Sequence, residues 1–114
     1  IVIGHHPIYA QTPNDDEERA TLQKLLDPIL RKYNVDMYVA GHIHNFQHIR
    51  TNGSGIDYVV NSSASLSRKV SPIEGTQFCS PLEGFSVCSV SDKELKLYML
   101  NVKGEVIYTV ERRK

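Results

Sequence analysis

Histidine is the residue type whose placement in this chain asks for chemistry. All five, His5, His6, His42, His44 and His48, fall in the first 48 of 114 positions, in two tight groups with His48 just beyond the second. The sharper group is Gly41-His42-Ile43-His44. On an extended segment, imidazoles two residues apart point to the same side, so His42 and His44 are expected to face one metal ion or two adjacent ones. Gly41 lets the backbone turn tightly where a strand ends. Taken alone, the pattern also suits histidines that merely hydrogen-bond to their neighbours. The second group, Gly4-His5-His6-Pro7, matters because it too follows a short apolar run. Three neutral imidazoles, from His5, His42 and His44, suit zinc, iron, manganese or similar borderline ions.

The elements that must position them are legible. Ile1 to Gly4 reads as a central strand that delivers His5 and His6 into a loop, and Pro7 and Pro13 keep the next segment extended. Asp15-Asp16-Glu17-Glu18 supplies the acids a helix N-terminus favours, and Leu22, Leu25, Leu26, Ile29 and Leu30 recur at helical spacing. The pattern predicts a helix from about Asp16 to Tyr33 that kinks or restarts near Pro28. Met37 to Ala40 is a second short strand. A βαβ unit with a right-handed crossover puts both strand ends on one edge, so the two histidine groups are expected to meet there. That edge is where open α/β sheets bind their ligands. Beyond it, Phe46–Arg50 and Ile56–Val60 read as a hairpin about Thr51–Gly55, and Asn61–Pro81 as a loop-rich stretch. Phe85–Val90, Leu95–Asn101 and Val106–Val110 then read as an antiparallel meander.

Composition narrows the classes. A length of 114 residues allows one domain at most, and 40% hydrophobic with 23% charged residues excludes disorder, collagen and coiled coil. Thirteen Lys+Arg balance thirteen Asp+Glu, and no basic stretch beyond Glu111–Lys114 offers a footprint for nucleic acid or an anionic membrane. No apolar run approaches the ~18–20 residues of a membrane span. Cys79 and Cys88 do not make a disulfide framework; they read as two small buried hydrophobes or one optional bridge. The chain opens on Ile1-Val2-Ile3, inside what reads as a buried strand, so it is expected to be a piece of a longer protein.

The strings Ile1-Val2-Ile3-Gly4-His5-His6-Pro7-Ile8-Tyr9 and Val39-Ala40-Gly41-His42-Ile43-His44-Asn45 resemble the last two of five signature blocks of the calcineurin-like metallophosphoesterases. Within these, the chain is most similar to the purple (tartrate-resistant) acid phosphatases, and the similarity continues through Asp57–Asn61 and Glu83–Val87 into the terminal strands. The resemblance implies an α/β fold, the C-terminal half of a four-layer α/β/β/α sandwich. Residues 1–114 would then be the C-terminal portion of one catalytic domain whose N-terminal half is absent. It implies hydrolysis of phosphomonoesters at a dinuclear centre of two metal ions, Fe with Fe, Zn or Mn. His5 and His42 would bind one ion and His44 the other. His6, beside a ligand, is a candidate catalytic group on the substrate side or behind the ligands. Asn45 is a candidate donor behind the ligands, whereas His48 and Ser62–Ser65 read as ordinary strand and loop residues.

Asn14 departs from several animal relatives, which have a histidine about there. The family's other blocks, Gly-Asp, Gly-Asp-x-x-Tyr and Gly-Asn-His, do not occur here, and none of Asp15, Asp16, Asp27, Asp36, Asp57 or Asp92 follows a glycine. Two cations ~3.5–4 Å apart need carboxylates to offset their repulsion, so the segment alone is not expected to hold the pair or to be active. Other readings are a single-zinc or non-catalytic binding module, and a phosphodiesterase or nucleotidase on the same scaffold. Family habit implies a periplasmic or secreted location.

Overall fold

Side-chain alternation in the early strands decides how the layers stack. The computed structural model describes residues 1–114. β1 (Val2–Ile3) runs parallel to β2 (Met37–Ala40), with Val2 opposite Tyr38 and Ile3 opposite Val39. Between them lie α1 (Asp16–Leu25) and α2 (Asp27–Lys32). The expected helix restarts at Leu26. Pro28 falls in the first turn of α2, where its missing N–H leaves no intrahelical bond unmade.

β3 (Phe46–Ile49) and β4 (Asp57–Val60) form the expected hairpin, and β4 also pairs parallel with β2. β5 (Thr76–Ser80) adds antiparallel to β3, giving a five-stranded sheet in the order β1-β2-β4-β3-β5. A second sheet is the antiparallel meander β6 (Gly84–Val90), β7 (Glu94–Asn101) and β8 (Val106–Arg113).

Along β2 the side chains alternate between two cores. Tyr38 and Ala40 pack with Ile8, Leu30, Ile49, Ile56 and Tyr58 on the helix side. Met37 and Val39 face the second sheet, packing with Phe46, Val59, Leu97, Met99 and Val110. Phe46 and Met99 are fully buried, and burial of such side chains contributes about 1.5–3 kcal/mol each. The result is three layers: helices, mixed sheet and meander.

Two expectations change. The run Ile1 to Gly4 was expected as a central strand, but within this chain β1 is an edge strand and Ile3 is 79% exposed. An apolar run reports what the strand favours as surroundings, not which neighbours this segment supplies. The stretch Asn61–Pro81 is not all loop: β5 arises where Phe78 stacks on Tyr108, with ring centroids 4.2 Å apart. Cys79 and Cys88 are free; Cys79 is half-buried and Cys88 exposed, so neither is the buried hydrophobe its composition suggested.

Charged groups stitch the two sheets together. Asp57, at 0% exposure, accepts hydrogen bonds from His48 Nε2 (2.7 Å), Arg50 Nε (2.7 Å) and Arg112 Nη1 (2.9 Å). His48 Nδ1 lies 2.8 Å from the Tyr108 hydroxyl of β8. Burial pushes the Asp57 carboxyl up, but the bonds from His48, Arg112 and Arg50 outweigh it and hold it well below the usual carboxylate range.

Candidate metal centre

The pairing of β1 with β2 continues past both strands and sets the two histidine groups level. Gly4 N–H donates to the Val39 carbonyl (2.9 Å) and Gly41 N–H to the His5 carbonyl (3.1 Å). Gly4 leaves room for the Tyr38 hydroxyl, which a Cβ there would overlap and which donates to the His6 carbonyl at 2.8 Å. Burial pushes that hydroxyl up and keeps it a donor.

His5 and His42 therefore meet, with His5 Nε2 at 2.9 Å from His42 Nδ1. The His6 ring lies 4.2 Å from His42 and 5.0 Å from His5 between centroids. One ring nitrogen from each of His5, His6 and His42 falls within 4.8 Å of the others. His44 is outside that close group.

The reason is local backbone geometry. His42 and His44 are not on an extended segment: β2 ends at Ala40, and their φ values are 70° and 67°. Ile43 N–H bonds back to the Gly41 carbonyl at 2.8 Å, closing a γ-turn about His42 in its rarer, strained form. Period-two alternation, which the same-side expectation assumed, does not apply to such a turn. His44 is still fixed in place, because its carbonyl accepts from Arg68 N–H at 2.9 Å. Of the four non-glycine residues with positive φ, Asp15, His42 and His44 belong to this corner of the molecule and Asn34 to the end of α2. Strained backbone gathers where geometry is fixed for a task.

Asp15 is the residue that the sequence did not single out. Its Oδ2 lies 2.8 Å from His42 Nε2. The signal that could have found it is topological, since the loop leaving β1 reaches α1 along the same edge as the histidines. A polar clamp holds that loop down: Gln47 Nε2 donates to the Gln11 carbonyl (2.9 Å), and Gln11 N–H returns a bond to Gln47 Oε1 (2.7 Å). Asn45 belongs to this clamp, accepting from Gln47 Nε2 at 2.8 Å, and does not bond to a site histidine. Asn14 makes no side-chain bond to the histidines, and its carbonyl accepts from Arg19. His48 lies within the sheet network described above, and the Ser62 hydroxyl donates to the Leu82 carbonyl.

The donor set fits a metal. His6 Nδ1 and His44 Nδ1 are buried polar atoms without a hydrogen-bond partner, and the nitrogens of His5 and His42 already converge. Ring nitrogens so placed, once free of their protons, are what a borderline cation accepts.

Residues 1–46, which carry both histidine groups, match the calcineurin-like phosphoesterase family. Over these residues the chain resembles the calcineurin-like phosphoesterases. It is 33% identical over 113 residues to purple acid phosphatase 3 of Arabidopsis thaliana, covering 95% of the chain and 30% of that protein. Tartrate-resistant acid phosphatase type 5 of Homo sapiens is 27% identical over 120 residues, with 95% and 35% covered. Among solved structures, GAP50, the anchor in the inner membrane complex of Plasmodium, superposes with a TM-score of 0.82 at 29% identity, over 97% of this chain and 36% of that one. The chain spans about a third of the length of the curated relatives it matches.

Proposed function

We propose that this segment is the metal-binding C-terminal part of a metallophosphoesterase domain that hydrolyses phosphomonoesters outside the cytoplasm. The observation that carries the reading is the convergence of His5 and His42 at 2.9 Å from groups 37 residues apart. In this reading His5 and His42 hold one metal ion and His44 contributes to a second, with carboxylates supplied from the remainder of the domain. When bound, two ions would activate water and offset the charge of the phosphoryl oxygens. His6 completes the imidazole cluster on the side of a cleft of about 490 Å³ whose other walls include Glu17 and Glu18. Those carboxylates repel a phosphate.

A second cleft of about 510 Å³ suits an anionic ester better, because Asn14, Ile43, Arg68 and Lys69 line it. Arg68 is tied to His44 through the backbone bond already described. Phosphate held there by two cations lies beside the second group of histidines.

The decisive experiment is His42→Ala in the full-length protein. Metal content and hydrolysis of p-nitrophenyl phosphate are expected to fall by orders of magnitude. Unchanged turnover would sink the assignment. The likeness to a protein described as an anchor favours one rival, a binding module with a single zinc ion or none. Metal stoichiometry separates the two: two ions per full chain for the hydrolase, one or none for the module.

A further inference from the structure

We propose that Asp15 is the positioning residue of this metal site: its carboxylate orients His42 so that Nδ1, on the side of His5 and His6, is the nitrogen offered to the metal. The inference rests on the metal-binding reading above. Two independent observations carry it.

The first is the hydrogen-bond pattern of the ring. Asp15 Oδ2 lies 2.8 Å from His42 Nε2, and a carboxylate accepts hydrogen bonds without giving one. Nε2 therefore carries the proton. In a neutral imidazole the free lone pair is then on Nδ1, the atom 2.9 Å from His5 Nε2 and in the close group of three rings. A carboxylate behind a ligating histidine fixes its tautomer and orientation and raises its basicity.

The second is what Asp15 forgoes. It occupies the N-cap of α1, where an aspartate ordinarily accepts from the free N–H groups of the first turn. Here the side chain makes no such bond, and the backbone is held at φ 62°. The Asp15 carbonyl accepts from Arg19 N–H, but the helix gains no side-chain cap. The carboxylate is turned to His42 instead, at the cost of a strained backbone.

The test compares Asp15→Gly, Asp15→Asn and His42→Ala in the full-length protein. Zn(II) affinity is read by competition with a chromogenic chelator, Co(II) coordination by its visible absorption, and thermal stability on the metal-free protein. Glycine accepts positive φ and remains an adequate N-cap, so Asp15→Gly is expected to melt at or above the wild-type temperature. Its Zn(II) affinity is nevertheless expected to fall about 10- to 100-fold, with shifted Co(II) bands. Asp15→Asn, which keeps an acceptor oxygen but no charge, should fall between. Wild-type affinity in Asp15→Gly overturns the proposal, as does an affinity loss accompanied by loss of stability in the metal-free protein, which would assign Asp15 to the fold alone. If His42→Ala loses Zn(II) while Asp15→Gly does not, only the role of Asp15 fails. If His42→Ala also binds as wild type, the metal-binding reading fails with it.

Discussion

Two histidine–aspartate pairs in this chain have the same chemistry and different tasks. His48 and Asp57 are buried at 2% and 0% exposure, and both ring nitrogens of His48 are occupied, one by Asp57 and one by Tyr108. His42 and Asp15 are about a third exposed, and the other nitrogen of His42 faces His5. Burial with full satisfaction makes a joint, whereas partial exposure beside converging ring nitrogens suits the metal site proposed above. The joint has a consequence in acid. The folded state holds the Asp57 carboxyl below its ordinary value near 4, so it takes up a proton less readily than the unfolded chain does. The stability this contributes is complete above that value and is lost as pH falls below it. Asp57→Asn is therefore expected to be less stable at pH 6 by about 3 kcal/mol and to lose less stability than wild type on acidification to pH 3. Urea unfolding across that range measures both; parallel pH profiles would show that Asp57 carries no such linkage.

At the level of elements, two glycines separate the site from the frame that carries it. Gly4 ends β1, and a side chain on it would displace the Tyr38 hydroxyl from the His6 carbonyl. Gly84 begins β6, where a Cβ would run into the Leu100 carbonyl and come within 2.9 Å of the Phe46 ring. The obstacle at Gly4 is the end of a side chain that can move, whereas at Gly84 it is backbone. Gly4→Ala should thus lower Zn(II) affinity in the full-length protein with little change in melting temperature. Gly84→Ala should cost about 1–3 kcal/mol of stability while the folded protein binds Zn(II) as wild type. Calorimetry with chelator competition separates the outcomes, and the reverse assignment of effects would refute this division.

On the scale of the whole molecule, the three layers leave apolar surface open. Ile3 on β1 is 79% exposed, and Phe85, Val87 and Val106 on the meander are each close to half exposed. An uncovered edge strand and apolar sheet surface are templates for association. If the remainder of the domain covers them, as proposed, residues 1–114 made alone should self-associate. Ile3→Lys should reduce that association by placing a charge on the open edge. Light scattering during size-exclusion chromatography reads the mass; a monodisperse wild-type monomer would count against a missing half that covers this surface.

By itself, the sequence determined the βαβ unit with both Gly-His groups at its strand ends, the helix restart by Pro28, the β3–β4 hairpin and the meander. These follow from apolar periodicity and turn chemistry, which act over a few residues. Tertiary structure alone decided that His6 joins His5 and His42 in the close group while His44 stands apart, because same-side alternation holds only while the backbone is extended and a γ-turn breaks it at His42. It alone brought Asp15 to His42 across 27 positions, and His48 to Tyr108 across 60. Those pairings depend on how far each loop carries its side chain once two sheets and a helical layer have packed, and no local pattern encodes that distance.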